Sequence, residues 1–223
     1  GFDTLKTTLP KMVATVGELD EKQKLERLTK TIMKSYGLSE IVTYSLVKEE
    51  FVKKGIMSFG DDVCLASPLS DDRKYVRNSL MSSMLECASY NQNRKATNIN
   101  LFEISNVYKQ EKMQTRLGIV LNGELQSSRS HKISIKNDFY VIKGLIQAYL
   151  EKLGIASSRI TFDKNEDSNF FHPYRSAKVY IQNKLFGTFG EIHPAYAKKL
   201  DLSDVIYGEF IMDVLFEIKT SKL

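Results

Sequence analysis

The chain has 223 residues, a net charge of +5 and a composition that is 42% hydrophobic and 26% charged, ordinary proportions for a globular protein that buries a substantial core. No apolar run reaches the ~18 residues a bilayer span needs, and no basic start followed by an apolar stretch and small-residue cleavage pattern marks a leader. The two cysteines, Cys64 and Cys87, exclude a disulfide framework and lack metal-ligand spacing, so a reduced, cytoplasmic setting is expected.

Residues 1–17 contain Pro10 and read as an extended entry segment. Asp20 then opens a helix whose inward stripe is Leu25, Leu28, Ile32, Met33 and Tyr36, with Gly37 placed to end it. Residues 41–47 read as a strand, followed by a short helix from Lys48 to Gly55 and a short strand at 63–66. The turn-rich 67–72 leads into a second helix over 76–92, striped by Leu80, Met81, Met84, Leu85 and Ala88.

Residues 99–108 read as a strand on which Glu103 shares a face with Ile99, Leu101 and Val107. An unpaired buried carboxylate is costly, so Glu103 needs a partner, and Arg73, Arg77 and Arg175 are the candidates. A strand at 116–121 ends at Asn122-Gly123, and the basic stretch 124–137 reads as a long connection. Its Arg129, His131, Lys132 and Lys136 could touch RNA phosphates or simply be solvated.

Asp138 caps a third helix, with Val141, Ile142, Leu145, Ile146, Tyr149 and Leu153 inward and Gly154 at its end. Strands at 159–163, 178–182, 184–192 and 206–212 follow, the middle two joined tightly at Gln182-Asn183. Between the last two, Pro194 starts a short helix running to residue 200. Strands in runs with interspersed helices predict an α+β fold with a largely antiparallel sheet.

Chemistry is sparse. There is no phosphate-binding glycine loop, no nucleophile elbow and no zinc-protease motif. Arg73, Arg77, Asn78, Asn93 and Arg94 flank the second helix, and their types suit either structural bonding or an interface with a partner or RNA. His172 and His193 each precede proline. The simpler reading is that both cap turns; the alternative is that they brace a shared face near Arg175 and Glu191.

Five blocks sit in a fixed order: SPLS at 67–70 with VRNSL at 76–80, NQNR at 91–94, LFEI at 101–104 with VY at 107–108, FHPYRSA at 171–177, and GEIHP at 190–194. Together with GFD at 1–3 they resemble the synthetase-core region of bacterial phenylalanyl-tRNA synthetase β subunits. Ser82-Ser83, Ser105 and Tyr174 depart from the family's usual residues.

The resemblance implies a class II aminoacyl-tRNA synthetase-like antiparallel sheet flanked by helices. It implies residues 1–16 as an exit from an upstream domain, 17–218 as a non-catalytic core, and 219–223 as a frayed tail. The sequence, lacking an initiator Met, is then expected to be a piece of a longer subunit.

The implied role is scaffolding of an α catalytic subunit in an (αβ)2 heterotetramer that attaches phenylalanine to tRNA(Phe). ATP and Mg2+ would be cofactors of that holoenzyme, with no catalytic, cofactor or metal residue in this chain. The strand LFEISNVY offers Glu103 where an active core would need an ATP-binding arginine. An independently active class II-type ligase and a free-standing RNA-binding module are the alternatives.

Overall fold

A computed structural model describes residues 1–14, 16–57, 59–166 and 170–218. The first fourteen residues are exposed, with one 3₁₀ turn at Phe2–Thr4. Helix α1 spans Glu21–Ser35. The Asp20 carboxylate accepts from the Gln23 N–H at 2.8 Å while Gln23 Oε1 accepts from the Asp20 N–H at 3.0 Å, satisfying two donors of the first turn. Gly37 follows at φ +86°, a left-handed position without steric cost for glycine. Leu28, expected inside, is 47% exposed, so the buried stripe of α1 is narrower than its spacing suggests.

The expected strand at 41–47 is not continuous. Only its flanks pair, as β1 (Ser39–Glu40) and β2 (Leu46–Val47). Thr43 lies between them and donates both its N–H and its hydroxyl to Glu103, which draws the backbone out of line. After α2 (Glu49–Lys53), the strand expected at 63–66 reduces to one bridge between Cys64 and Tyr75.

Val76 belongs to β3 (Tyr75–Val76), paired with β2, and the second helix starts only at α3, Met81–Gln92. Residues 77–80 form a bent elbow whose polar side chains are committed elsewhere. Leu80, Met81, Met84, Leu85 and Ala88 are all buried, as their spacing predicts.

β4 (Ile99–Lys109) and β5 (Lys112–Asn122) form a long hairpin. The basic stretch expected to be a loop is instead a separate ribbon, β6 (Glu124–Ser128) with β7 (Ile133–Lys136). α4 (Phe139–Lys152) is capped by Asp138, which accepts from the Val141 N–H at 2.8 Å. β8 (Ile160–Lys164), β9 (Phe171–Ile181) and β10 (Lys184–Ile192) follow. The β9–β10 turn holds Gln182 and Asn183 at φ +49° and +67°, the left-handed pair a two-residue hairpin requires.

β9 starts earlier than expected and includes Pro173. Its pairing with β8 ends at Ala177, so Pro173 lies beyond that ladder and its missing N–H costs the β8 pairing nothing. α5 (Pro194–Lys199), β11 (Ile206–Ile211) and an unanticipated α6 (Asp213–Phe216) complete the chain. The tail expected at 219–223 lies outside the described residues.

The described strands build a seven-stranded sheet in the order β1-β4-β5-β11-β10-β9-β8, antiparallel except for β1 against β4. Both faces are covered. α1 and α4 pack over Phe102, Leu117, Ile119, Phe189 and Phe210, while α3 and α5 pack over Ile99, Leu101, Val107, Val120 and Tyr207. Two-sided burial explains why residues 117–121 read LGIVL without alternation.

Candidate functional site

The elbow at 77–80 lies against the α3 face of the sheet, where most of the chain's buried charge collects. Arg77 and Glu103 are both buried and pair at 2.9 Å. The guanidinium also donates to Asn106 O at 3.1 Å, to Thr43 Oγ1 at 2.9 Å and to Ser105 Oγ. Thr43 hands its own hydroxyl proton on to Glu103 Oε2 at 2.7 Å. Of the three candidate partners for Glu103, the structure selects Arg77.

One strand further into the sheet lies a second pair that the sequence reading did not anticipate. Arg116 on β5 meets Glu209 on β11 at 2.6 Å, with both side chains wholly inaccessible. Arg116 also donates to the carbonyls of Ile56 and Met57 and to Gln114 Oε1. Glu209 Oε2 accepts from Ser79 Oγ, Tyr207 Oη and the Leu80 N–H at 2.7, 2.7 and 3.2 Å. Burial, reinforced by the Glu209 charge, pushes the Tyr207 phenol well above its ordinary pKa. The signal was present: Glu209 in YGEF and Arg116 before LGIVL each share a face with apolar neighbours, the same anomaly that drew attention to Glu103.

Asn78 completes the elbow by donating to Val52 O at 2.8 Å and to Asp62 Oδ1 at 2.9 Å, and Lys109 closes on the same carboxylate. The elbow is thus tied to β4, to β11 and to the loop after α2. Arg77 and Asn78, candidates for either a structural or a contact role, are buried, so neither offers a donor at the surface.

Gly118 on β5 faces the start of α3. A Cβ there would lie 2.3 Å from Met84 Sδ and 3.3 Å from Leu80 Cδ1, so the helix sits directly on the strand and fills the space above it. The obstacle expected from Glu103 in place of an ATP-binding arginine therefore changes form. Glu103 is neutralised by Arg77 and sealed from solvent, and the obstacle on this face is occlusion. Burial, with the Glu103 charge adding, also raises the Cys87 thiol, which keeps it protonated and a poor nucleophile.

The remaining candidates are on the surface. The Arg73 guanidinium stacks 4.6 Å from the Tyr44 ring and donates to Leu46 O. At the far end of α3, Arg94 lies 3.4 Å from the Tyr90 ring and donates to Tyr90 O, while the exposed Asn93 serves as the C-cap. Tyr44 and Tyr90, which these cations meet, are exposed, as are the apolar Val42 and Leu69.

Across the molecule, Arg175 pairs with Glu191 at 2.7 Å and reaches His172 Nε2 at 3.2 Å. His172 Nδ1 also accepts from the Tyr174 N–H, and His193 Nδ1 accepts from the Ala195 N–H. His193 thus caps the start of α5 as expected, whereas His172 lies within β9, bonds the backbone two residues on and joins the Arg175–Glu191 pair. Among the described residues, no three His, Cys, Asp or Glu side chains are grouped so as to hold a metal ion.

An antiparallel sheet with helices on both faces is the architecture of class II tRNA synthetases. Two structures of pyrrolysyl-tRNA synthetase from Desulfitobacterium hafniense share it. One has a TM-score of 0.64 at 14% identity, covering 86% of this chain and 64% of that one. The other has a TM-score of 0.65 at 14% identity, covering 88% and 68%. At that identity the likeness establishes the fold alone.

The family follows from sequence: residues 5–212 match the phenylalanyl tRNA synthetase beta chain CLM domain, and the chain belongs to that family. It is 30% identical to the phenylalanine–tRNA ligase beta subunit of Lactococcus lactis, over 97% of this chain and 27% of the relative. Against the same subunit of Bacillus subtilis it is 28% identical over 100% and 28%, and against that of Shouchella clausii 31% over 100% and 28%. The chain therefore spans little more than a quarter of the length of these relatives.

Proposed function

We propose that the chain is a non-catalytic synthetase-like core that scaffolds the α catalytic subunit for ATP-dependent attachment of phenylalanine to tRNA(Phe). The observation that carries this reading is the closed α3 face of the sheet. The guanidiniums of Arg77 and Arg116 are spent on internal carboxylates and carbonyls, and Met84 rests on Gly118. Adenylate chemistry needs cationic groups aimed at phosphates, and among the described residues Arg77 and Arg116 on this face are turned to internal partners instead.

In this reading ATP and Mg2+ serve the α subunit within a cytoplasmic (αβ)2 assembly. The surface of Arg73 on Tyr44 and Arg94 on Tyr90 is the contact we assign to the partner. Arginines stacked on tyrosine are pre-ordered, and both residue types are enriched in interface hot spots. Arg77 and Asn78 would act indirectly, by setting the shape of the elbow beneath.

Copurification with the cognate α subunit tests the scaffold. The parent chain should form a complex, and Arg94→Glu combined with Tyr90→Ala should weaken it without altering the chain's melting. Phenylalanine-dependent pyrophosphate exchange by the chain alone, free of α subunit, would overturn the non-catalytic role.

A further inference from the structure

A cleft of about 330 Å³ opens between the end of α2 and α5, lined by Lys54, Phe170, His193, Ala195, Tyr196 and Lys199. It lies outside the elbow network and owes nothing to the scaffold reading. Its volume falls in the range of small-molecule sites. Phe170 and Tyr196 form an edge-to-face pair with centroids 5.3 Å apart, and the Lys54 ammonium lies 5.3 Å from the centre of the Tyr196 ring.

The lysine and histidine groups at the rim share one character. Lys54 and Lys199 are donors only. Because His193 Nδ1 accepts from the Ala195 N–H, a neutral ring carries its proton on Nε2, which is then a donor as well. Among the described residues that line the cleft, none is a carboxylate. Glu50, one turn earlier on α2, pairs with the lining Lys54. Lys54 first, and then Lys48 and Lys199, hold the Glu50 carboxyl below its ordinary pKa, so Glu50 serves as counter-ion to this basic rim.

From the aromatic floor, the rim's two lysines and imidazole donor, and the adjacent displaceable carboxylate, we infer that this cleft binds a phosphorylated, ring-bearing anion of mononucleotide size, and that Glu50 competes with it. The ring of the ligand would lie against Phe170 and Tyr196, and its phosphate would replace Glu50 beside Lys54 and Lys199. No covalent step is involved.

The test is equilibrium dialysis of the 223-residue chain against adenosine 5′-monophosphate at low ionic strength, with adenosine and inorganic phosphate in parallel. The monophosphate should bind saturably and more tightly than either fragment. Lys199→Gln, at an exposed position that leaves the fold intact, should weaken binding about fivefold, and Glu50→Gln should tighten it by a similar factor. Lys54→Gln provides a second loss-of-charge variant. The inference is overturned if no saturable binding occurs, if phosphate alone binds as well as the nucleotide, or if the lysine variants bind like the parent.

Discussion

Glu209→Gln probes the elbow most directly. The substitution preserves size, so its cost measures charge and bond polarity. In the parent, Oε1 faces Arg116 at 2.6 Å while Oε2 accepts from Ser79, Tyr207 and Leu80. A glutamine amide must place its NH2 at one of these positions. Toward Arg116 it sets donor against donor and leaves a wholly buried guanidinium without its counter-charge; toward Ser79 it opposes the Leu80 N–H and forces the Ser79 and Tyr207 hydroxyls to reverse their bonds.

Neither orientation is satisfactory, so the cost should be about 3–5 kcal/mol, the scale for breaking a buried ion pair by removing one partner. Glu103→Gln should cost less, about 1–3 kcal/mol, because Arg77 keeps Thr43, Ser105 and the Asn106 carbonyl as partners. Urea unfolding followed by far-UV circular dichroism and tyrosine fluorescence is suited to a chain with 11 tyrosines and no tryptophan. The double replacement Arg116→Met with Glu209→Leu should cost less than the sum of its single changes, since no lone charge remains. A Glu209→Gln chain within about 1 kcal/mol of the parent would refute the account, that being the scale of one ordinary hydrogen bond.

Leu85→Ala should destabilise the isolated chain by about 2–5 kcal/mol in the same assay, because Leu85 is fully buried against the sheet. Gly118→Ala should cost about 1–3 kcal/mol by overpacking and should be partly rescued by Met84→Ala, which vacates the clashing sulfur. Stability should fall above pH 10. Burial raises the phenols of Tyr149 and Tyr207, so the folded state keeps protons that the unfolded state loses. Their contribution is intact below the unfolded pKa near 10 and shrinks by about 1.4 kcal/mol per pH unit per tyrosine above it. Unfolding curves for Tyr149→Phe and Tyr207→Phe should show a flatter alkaline limb.

Much of this structure was legible where local and tertiary preferences agree. α1 and α4 carry both a capping aspartate and a helical period, and tertiary packing leaves their boundaries almost unchanged. Glu103 stood out because a carboxylate in phase with apolar residues demands a cation, and Arg77 supplies it. The reading failed where a distant group captured a backbone: residues 41–47 have strand composition, yet Thr43 spends its donors on a carboxylate 60 residues away. The 76–92 helix was drawn too long for the same reason, since Ser79 and Leu80 are claimed by Glu209, which lies 130 and 129 residues downstream. In the 124–137 stretch, the alternation ISIK at 133–136 was itself the strand signal, masked by basic composition.

The place of β11 has a consequence for the order of events in time. The strand at 206–211 is inserted between β5 and β10, so the hairpin ending at Asn122 waits for a partner that the ribosome delivers much later. At about 5–20 residues per second, several seconds pass with the apolar edge of β5 unmatched. Such an edge invites pairing with other chains. Arg116, at the head of that edge, lacks its counter-charge until Glu209 arrives, and a charge so placed deters premature association. The ion pair that closes the finished sheet thus begins as a guard on an unfinished one.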